Sequence, residues 1–212
     1  MHAECGDTGQ ARVLHTEQLE IARRVSASIW ISDALANLGR DLLLDGELAA
    51  AEALLEEAIA TAGDCGERIV IPLLSLGELG LRRGRPDDAL AAVERFRLVG
   101  QDHRVFGVEV ARVEAAAWAA LGRHREAAAA LREVIRAADA VEARPTRWLA
   151  GLNLAEALLV LGHREEGRLA VGEVCALLDA FAGDLPEPLA AGFRQSALVR
   201  RAAALAAPAE TA

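Results

Sequence analysis

The 212-residue chain contains no tyrosine and no lysine, so all 23 of its basic residues are arginine. Aromatic residues make up only 3% of it, with one methionine and six prolines. Pleated strands favour β-branched and aromatic side chains, and their scarcity argues against a sheet protein. Cysteine is sparse as well. Cys5, Cys65 and Cys175 are odd in number and far apart, so neither a disulfide framework nor a zinc site is expected. No uncharged run exceeds about ten residues, Ile69 to Gly77 being among the longest, whereas a membrane-spanning helix needs about twenty. Met1 to Gln10 holds two acidic side chains and no apolar stretch, unlike a signal peptide. A soluble, cytoplasmic protein with no membrane partner is the expectation. Positive charge is also short, the net charge being −9, which argues against direct nucleic-acid binding.

What the chain does have is alanine and leucine. The 47 alanines and 32 leucines exceed a third of its residues and, with Glu and Arg, form a helix-favouring vocabulary. With 53% apolar residues it can bury enough surface to fold. A period is visible too. Gly6, Gly46, Gly84, Gly122 and Gly162 lie 40, 38, 38 and 40 residues apart. Five positions after each comes a small residue: Ala11, Ala51, Ala89, Ala127 and Gly167. Seven positions before four of them stand Gly39, Gly77, Ala115 and Ala155, preceded by Leu38, Leu76, Glu114 and Leu154.

Each unit reads as two helices joined by a tight turn. Leu35, Leu38, Leu42 and Leu43 make an apolar face at helical spacing, Asp45-Gly46 interrupts it, and Leu48, Ala51, Leu55 and Ala58 resume it. The second unit runs from Ile69 to Arg83, turns at Gly84 and restarts at Pro86. The third spans Val105 to Leu121 and His124 to Ala140; the fourth starts near Pro145, turns at Gly162 and reaches Ala182. Antiparallel helices approach closely only where side chains are short, so Gly39 is expected to face Ala51 and Gly77 to face Ala89. One helix pair cannot cover its own apolar face, whereas stacked pairs bury a continuous core. The fold class expected is therefore all-α: a right-handed α-solenoid of antiparallel helix pairs with a 38–40-residue period.

The expected organisation is an orphan second helix over 1–27, four pairs over 28–183 (about 28–65, 66–102, 103–142 and 143–183), and a capping helix with tail over 184–212. The orphan helix leaves an unmatched apolar face, to be covered by more of a longer chain, by another protein or by self-association. Leu189 to Ala206 is read as one amphipathic helix whose Arg194, Arg200 and Arg201 face solvent.

The motifs Leu38-Gly39…Gly46…Ala51 and Leu76-Gly77…Gly84…Ala89 resemble tetratricopeptide repeats. The spacing here is longer than the family's 34 residues, and the proline that commonly ends a unit is missing. Longer repeats of this kind are similar to those in the C-terminal halves of bacterial LuxR-type regulators with a signal-transduction ATPase, and of ATPase-linked adenylate/guanylate cyclases. The segment Leu185-Pro186-Glu187-Pro188-Leu189 followed by Phe193 resembles the tail after their last repeat. The resemblance implies a non-catalytic module, without cofactor, that binds a protein or peptide segment or a small effector as the sensor of such a regulator. The alternative is a free-standing adaptor.

In such a solenoid the first helices line a concave groove. Counting back from each turn glycine places Asn37, Arg40, Glu78, Arg82, Arg112, Asn153 and Glu156 there as candidate binding residues. Arg can grip a carboxylate or phosphate through two bonds, and Asn can bond an extended backbone. The competing reading is a set of solvated or intramolecular pairs. The Lys/Asn clamp that some such repeats use cannot form without lysine. No phosphate loop, Gly-x-Ser-x-Gly or Gly-x-Gly-x-x-Gly occurs, and His15, His103, His124 and His163 make no catalytic or metal constellation, so no enzyme is expected. Trp30, Trp118 and Trp148 are read as packing residues, with Trp118 across from Gly80 and Trp148 partly open to the groove.

Overall fold

A computed structural model describes residues 8–63, 66–99 and 104–207. Gly6, Cys5, Cys65, Asp102 and His103 lie outside the described residues. Eleven α-helices are described: α1 (Thr8–Arg24), α2 (Ser28–Asp45), α3 (Leu48–Ala62), α4 (Val70–Arg82), α5 (Pro86–Val99), α6 (Arg104–Ala120), α7 (His124–Ala140), α8 (Arg144–Val160), α9 (Arg164–Asp184), α10 (Glu187–Arg194) and α11 (Ala197–Ala206). A 3₁₀ turn, Gly66–Ile69, leads into α4.

The periodic glycines end helices by one repeated device. Gly46, Gly84, Gly122 and Gly162 have φ of 85°, 65°, 80° and 82°, a left-handed conformation that is costly for any residue with a Cβ. At the first turn Gly46 N–H donates to Leu43 O (3.2 Å) and Glu47 N–H to Leu42 O (2.9 Å). The same crossed pair closes α4, α6 and α8, for example Arg85 N–H to Gly80 O at 2.8 Å and His163 N–H to Leu158 O at 2.9 Å. Two joints between units use this geometry without glycine. Ser26 (φ 51°) and Glu142 (φ 54°) take the left-handed position, and Ala27 and Ala143 N–H donate to Ala22 O and Ala138 O.

Small residues then set how closely paired helices lie. Ala51, Ala89, Ala115, Ala127 and Ala155 are fully buried. A Cβ added to Gly39 would stand 2.8 Å from Leu55 and 3.3 Å from Ala51 O, so α2 and α3 meet where expected. In the next pair Gly77 faces Ala89 as expected, such a Cβ lying 3.9 Å from Ala89 O and 3.8 Å from Ala92 Cβ, but the tightest contacts fall elsewhere. Gly77 has its tightest neighbour in Val113 of α6, at 2.9 Å from such a Cβ, while Gly80 presses on the α5 backbone, 2.7 Å from Ala89 N and 3.1 Å from Arg85 O. The turn following Gly84 thus occupies the space expected for Trp118. Trp118 packs instead around Ala115, Ala127 and Leu131, with the Arg123 guanidinium 4.9 Å above its ring.

Apolar clusters follow one another along the chain, from Leu19, Leu35 and Ala58 at one end to Trp148, Leu178 and Phe193 at the other. The backbones of the first helices α2, α4, α6 and α8 approach one another in succession, whereas those of successive second helices stand farther apart, so the first helices form the tighter, inner wall. The C-terminal segment is two helices rather than one, because the chain turns at Gln195-Ser196 and the Ser196 hydroxyl accepts from Val199 N–H. Helix α11 packs on α9 and α8, in the place a further first helix would take. Trp148, Phe181 and Phe193 close this end with ring centroids 5.0–5.9 Å apart. Trp148 is therefore buried rather than partly open to the groove. No helix among the described residues is long and apolar enough to cross a membrane.

Gly80→Ala forces the new methyl into backbone that cannot yield, and should cost about 1–3 kcal/mol. Gly172→Ala, mid-helix in α9 with nothing within 4 Å, should gain about 0.5–1 kcal/mol. Thermal melts of the two variants should move in opposite directions; a Gly80→Ala melt at or above wild type would contradict this packing.

Candidate inner-wall binding site

All six buried polar or charged residues among those described lie on first helices: Ser32 and Asp41 on α2, Ser75 on α4, Arg112 on α6, and Thr146 and Asn153 on α8. Second helices bury apolar faces and keep their charges outside. Inner helices are flanked on both sides by neighbouring helices, so a polar side chain there is buried unless it reaches the wall's open face. It must then find a partner within the protein.

Two clusters of the wall are well defined. At the first, Arg112 is almost wholly buried, its side chain 3% exposed. Its Nε and Nη2 donate to Glu109 Oε1 at 2.9 and 2.6 Å, and Nη2 also donates to Glu78 Oε2 at 2.7 Å. This ties α6 to α4 through charge-assisted bonds. Arg82 Nε stands 3.6 Å from the other Glu78 oxygen, and Arg82 Nη1 donates to Leu43 O at 2.7 Å, placing a cation at the C-terminus of α2. Burial alone raises the Glu78 pKa, but attraction and hydrogen bonding from Arg112, aided by Arg82 and Arg201, override it and hold the carboxyl below its ordinary range. Burial opposes the charge on Arg112 too, yet Glu109 and Glu78 push its pKa far upward, so it stays protonated at any working pH.

At the second cluster α11 reaches back onto α8. Arg201 Nε and Nη2 donate to the two oxygens of Glu156 at 2.9 and 2.7 Å, and Nη2 donates to Asn153 Oδ1 at 2.6 Å. Helical spacing puts Arg201 on the solvent side; it turns inward because a carboxylate and an amide oxygen converge on it there. Asn153 Nδ2 is buried with no hydrogen-bond partner, an uncompensated donor.

Of the residues picked from the sequence, Glu78, Arg82 and Arg112 come together, and Asn153 and Glu156 come together. Asn37, half-buried, and Arg40, exposed, both lie on α2. Glu109 and Arg201 complete the clusters without being marked by the repeat. Glu109 is legible at three residues before Arg112, but Arg201 lies 45 residues from Glu156 and obeys no repeat spacing. Also unmarked is Asp41, 2% exposed, whose Oδ2 lies 2.6 Å from His15 Nδ1 and ties α2 to α1. A depression of about 800 Å³ along Arg164, Arg168 and Glu173 lies on one helix, α9, and is an open dish rather than part of this wall.

No family model matches the sequence, and no curated protein does. Solved structures do match in shape. A point variant of a putative kinesin light chain of Podosopora anserina, with nearly identical TPR-like repeats, superposes with a TM-score of 0.56 at 20% identity, over 85% of this chain and 91% of that one. A second crystal structure of that putative kinesin light chain gives 0.54 at 20% identity, over 83% and 89%. The fold is a TPR-like solenoid. The inner wall of this TPR-like chain is where its buried polar residues, among those described, are concentrated.

A carboxyl held below its ordinary pKa contributes stability above its unfolded value of about 4.5, and that contribution is lost as pH falls through the folded pKa. Wild type should therefore melt above Glu78→Gln at neutral pH, and the gap should close as the pH drops below about 4.5. A gap independent of pH would show that Glu78 is not held as a carboxylate by Arg112.

Proposed function

We propose that the chain is a non-catalytic interaction module that seats a protein segment against its inner wall. The supporting observation is the confinement of every described buried polar side chain to α2, α4, α6 and α8. Solenoid curvature gives these helices the concave face, and their polar groups supply directional contacts that an apolar wall would lack. The candidates differ in what they offer. Arg112, Glu78 and Glu109 satisfy one another and act mainly as a brace, and Glu156 is engaged by Arg201. At the α2 end Arg40, which also has a contact of its own, is exposed, with Asn37 half-buried one turn before it, and recognition of a segment is assigned to these two positions on their exposure alone. Asn suits an extended backbone, and Arg suits a carboxylate.

The wider setting follows from the resemblance of repeat length and tail: the cytoplasmic sensor part of a bacterial signal-transduction or transcription regulator, whose nucleotide-binding and output domains would be carried elsewhere in the polypeptide. A reading frame continuing upstream into a phosphate-loop domain would support that setting; an in-frame stop would remove it in favour of the free-standing adaptor.

The groove itself is tested with a random peptide library selected on the immobilised full chain. Selected peptides should bind wild type and lose about tenfold or more in affinity on Arg40→Glu, a cost of about 1.4 kcal/mol, with an unchanged melt. Peptides that bind wild type and Arg40→Glu equally would contradict the assignment.

A further inference from the structure

Helix α1 packs along α2 and presents its opposite face to solvent. Leu14, Ile21 and Val25 are 44%, 49% and 58% exposed, and beside them on α2 stand Ile29 at 46% and Trp30 at 56%. Trp30 is therefore a surface residue and not the packing residue its type suggests. Scattered exposed apolar residues are ordinary, but these five are grouped at one end of the solenoid, where the next layer of a stack would sit. At 100° per residue, Leu14, Ile21 and Val25 form one stripe, and Glu17 and Arg24 line the same flank of that stripe.

Three charges on α1, Glu17, Glu20 and Arg24, differ from the others there, and of the three Glu20 lies farthest round the helix from the stripe, about 120° from Leu14. Arg12 is held by Asp45 and Glu47, and Arg23 by Glu57. Glu17 and Arg24 make no ion pair among the described residues. They are seven residues apart, so each repeats the other's angular position two turns along.

We propose that this face is a two-fold interface with a second copy of the chain, formed by antiparallel pairing of α1 with its counterpart. A two-fold axis perpendicular to the helices keeps each flank facing the same flank of the partner copy. With the axis near residue 20 and a rise of about 1.5 Å per residue, Glu17 falls within about 1.5 Å, along the helix, of Arg24 in the other copy. The same placement sets Leu14 opposite Val25 with a similar offset and brings the two Ile21 side chains together near the centre. One axis thus satisfies the apolar stripe and the two charges on its flank. A parallel two-fold pair would bring opposite flanks together and leave Glu17 and Arg24 without these partners. Trp30 and Ile29 extend the apolar surface from α2. The interface uses the end of the solenoid and does not depend on the groove reading.

Charge exchange tests this. Wild type in sedimentation or light scattering should show a mass near twice 22.4 kDa at high concentration. Glu17→Arg and Arg24→Glu each place like charges opposite one another, and each alone should be monomeric with the wild-type helix content retained, its melt lower only by the stability that dimerisation adds. Mixed in equal amounts, they should form a heterodimer, because each then meets opposite charges at both positions. A monomeric wild type, single variants that remain dimeric, or a mixture that stays monomeric would each overturn the proposal. A different occupant of the face, such as another protein or a preceding segment of polypeptide, would appear as the first of these outcomes.

Discussion

The constraint on which the structure depends is steric: two helices can lie against one another closely only where one of them offers almost no side chain. Gly39 against Leu55 and Ala51, Gly80 against the backbone of Arg85 and Ala89, and Gly167 against Leu159 and Ala155 are such places. Each lies within about two turns of a left-handed glycine that reverses the chain, so turn and close approach come as a unit. Once the pair is formed its outer apolar surface has no cover except another pair, and stacking follows. The leucines and valines between the small residues then fill the layers, from Leu35 and Leu55 to Val113, Leu131 and Val174.

Inner and outer helices consequently meet different conditions. The outer helices carry exposed ion pairs between units, such as Arg132 to Glu166 at 2.9 Å, each worth little on its own. The inner helices are crowded on two sides, and the charges in their two clusters are more buried and mutually bonded. The Glu78–Arg112–Glu109 cluster braces adjacent units, and Arg201 does the same between α8 and the terminal helix. The wall is thus braced in its middle and at its C-terminal end.

Much of this is legible in the chain. The glycine period locates four turns that share one hydrogen-bonded cap, and the small residues locate the helix contacts to within a turn. Local spacing carries both signals. What the sequence does not disclose depends on distant partners or on conformations without a marker. Arg201 meets Glu156 only because the chain breaks at Ser196 and redirects α11. Ser26 and Glu142 reverse the chain in the left-handed region without the glycine that would announce it. Arg112 and Arg40 carry the same label by position, yet one is buried and the other exposed. Glu78 from the neighbouring unit and Glu109 from the same helix draw Arg112 inward, and no repeat spacing announces that convergence. Trp30 looks like core by residue type, but its side of α2 is open among the described residues.

The most direct test of the stacked-pair account is the thermal melt of Ala51→Phe. Ala51 is fully buried opposite Gly39, and a ring there has no space unless α2 and α3 separate. The account expects a loss of about 1–3 kcal/mol or more, or about 2–4 °C per kcal/mol for a chain of this size. An unchanged melting temperature would mean that α2 and α3 do not meet at Ala51, and that the small residues do not set the spacing of the solenoid.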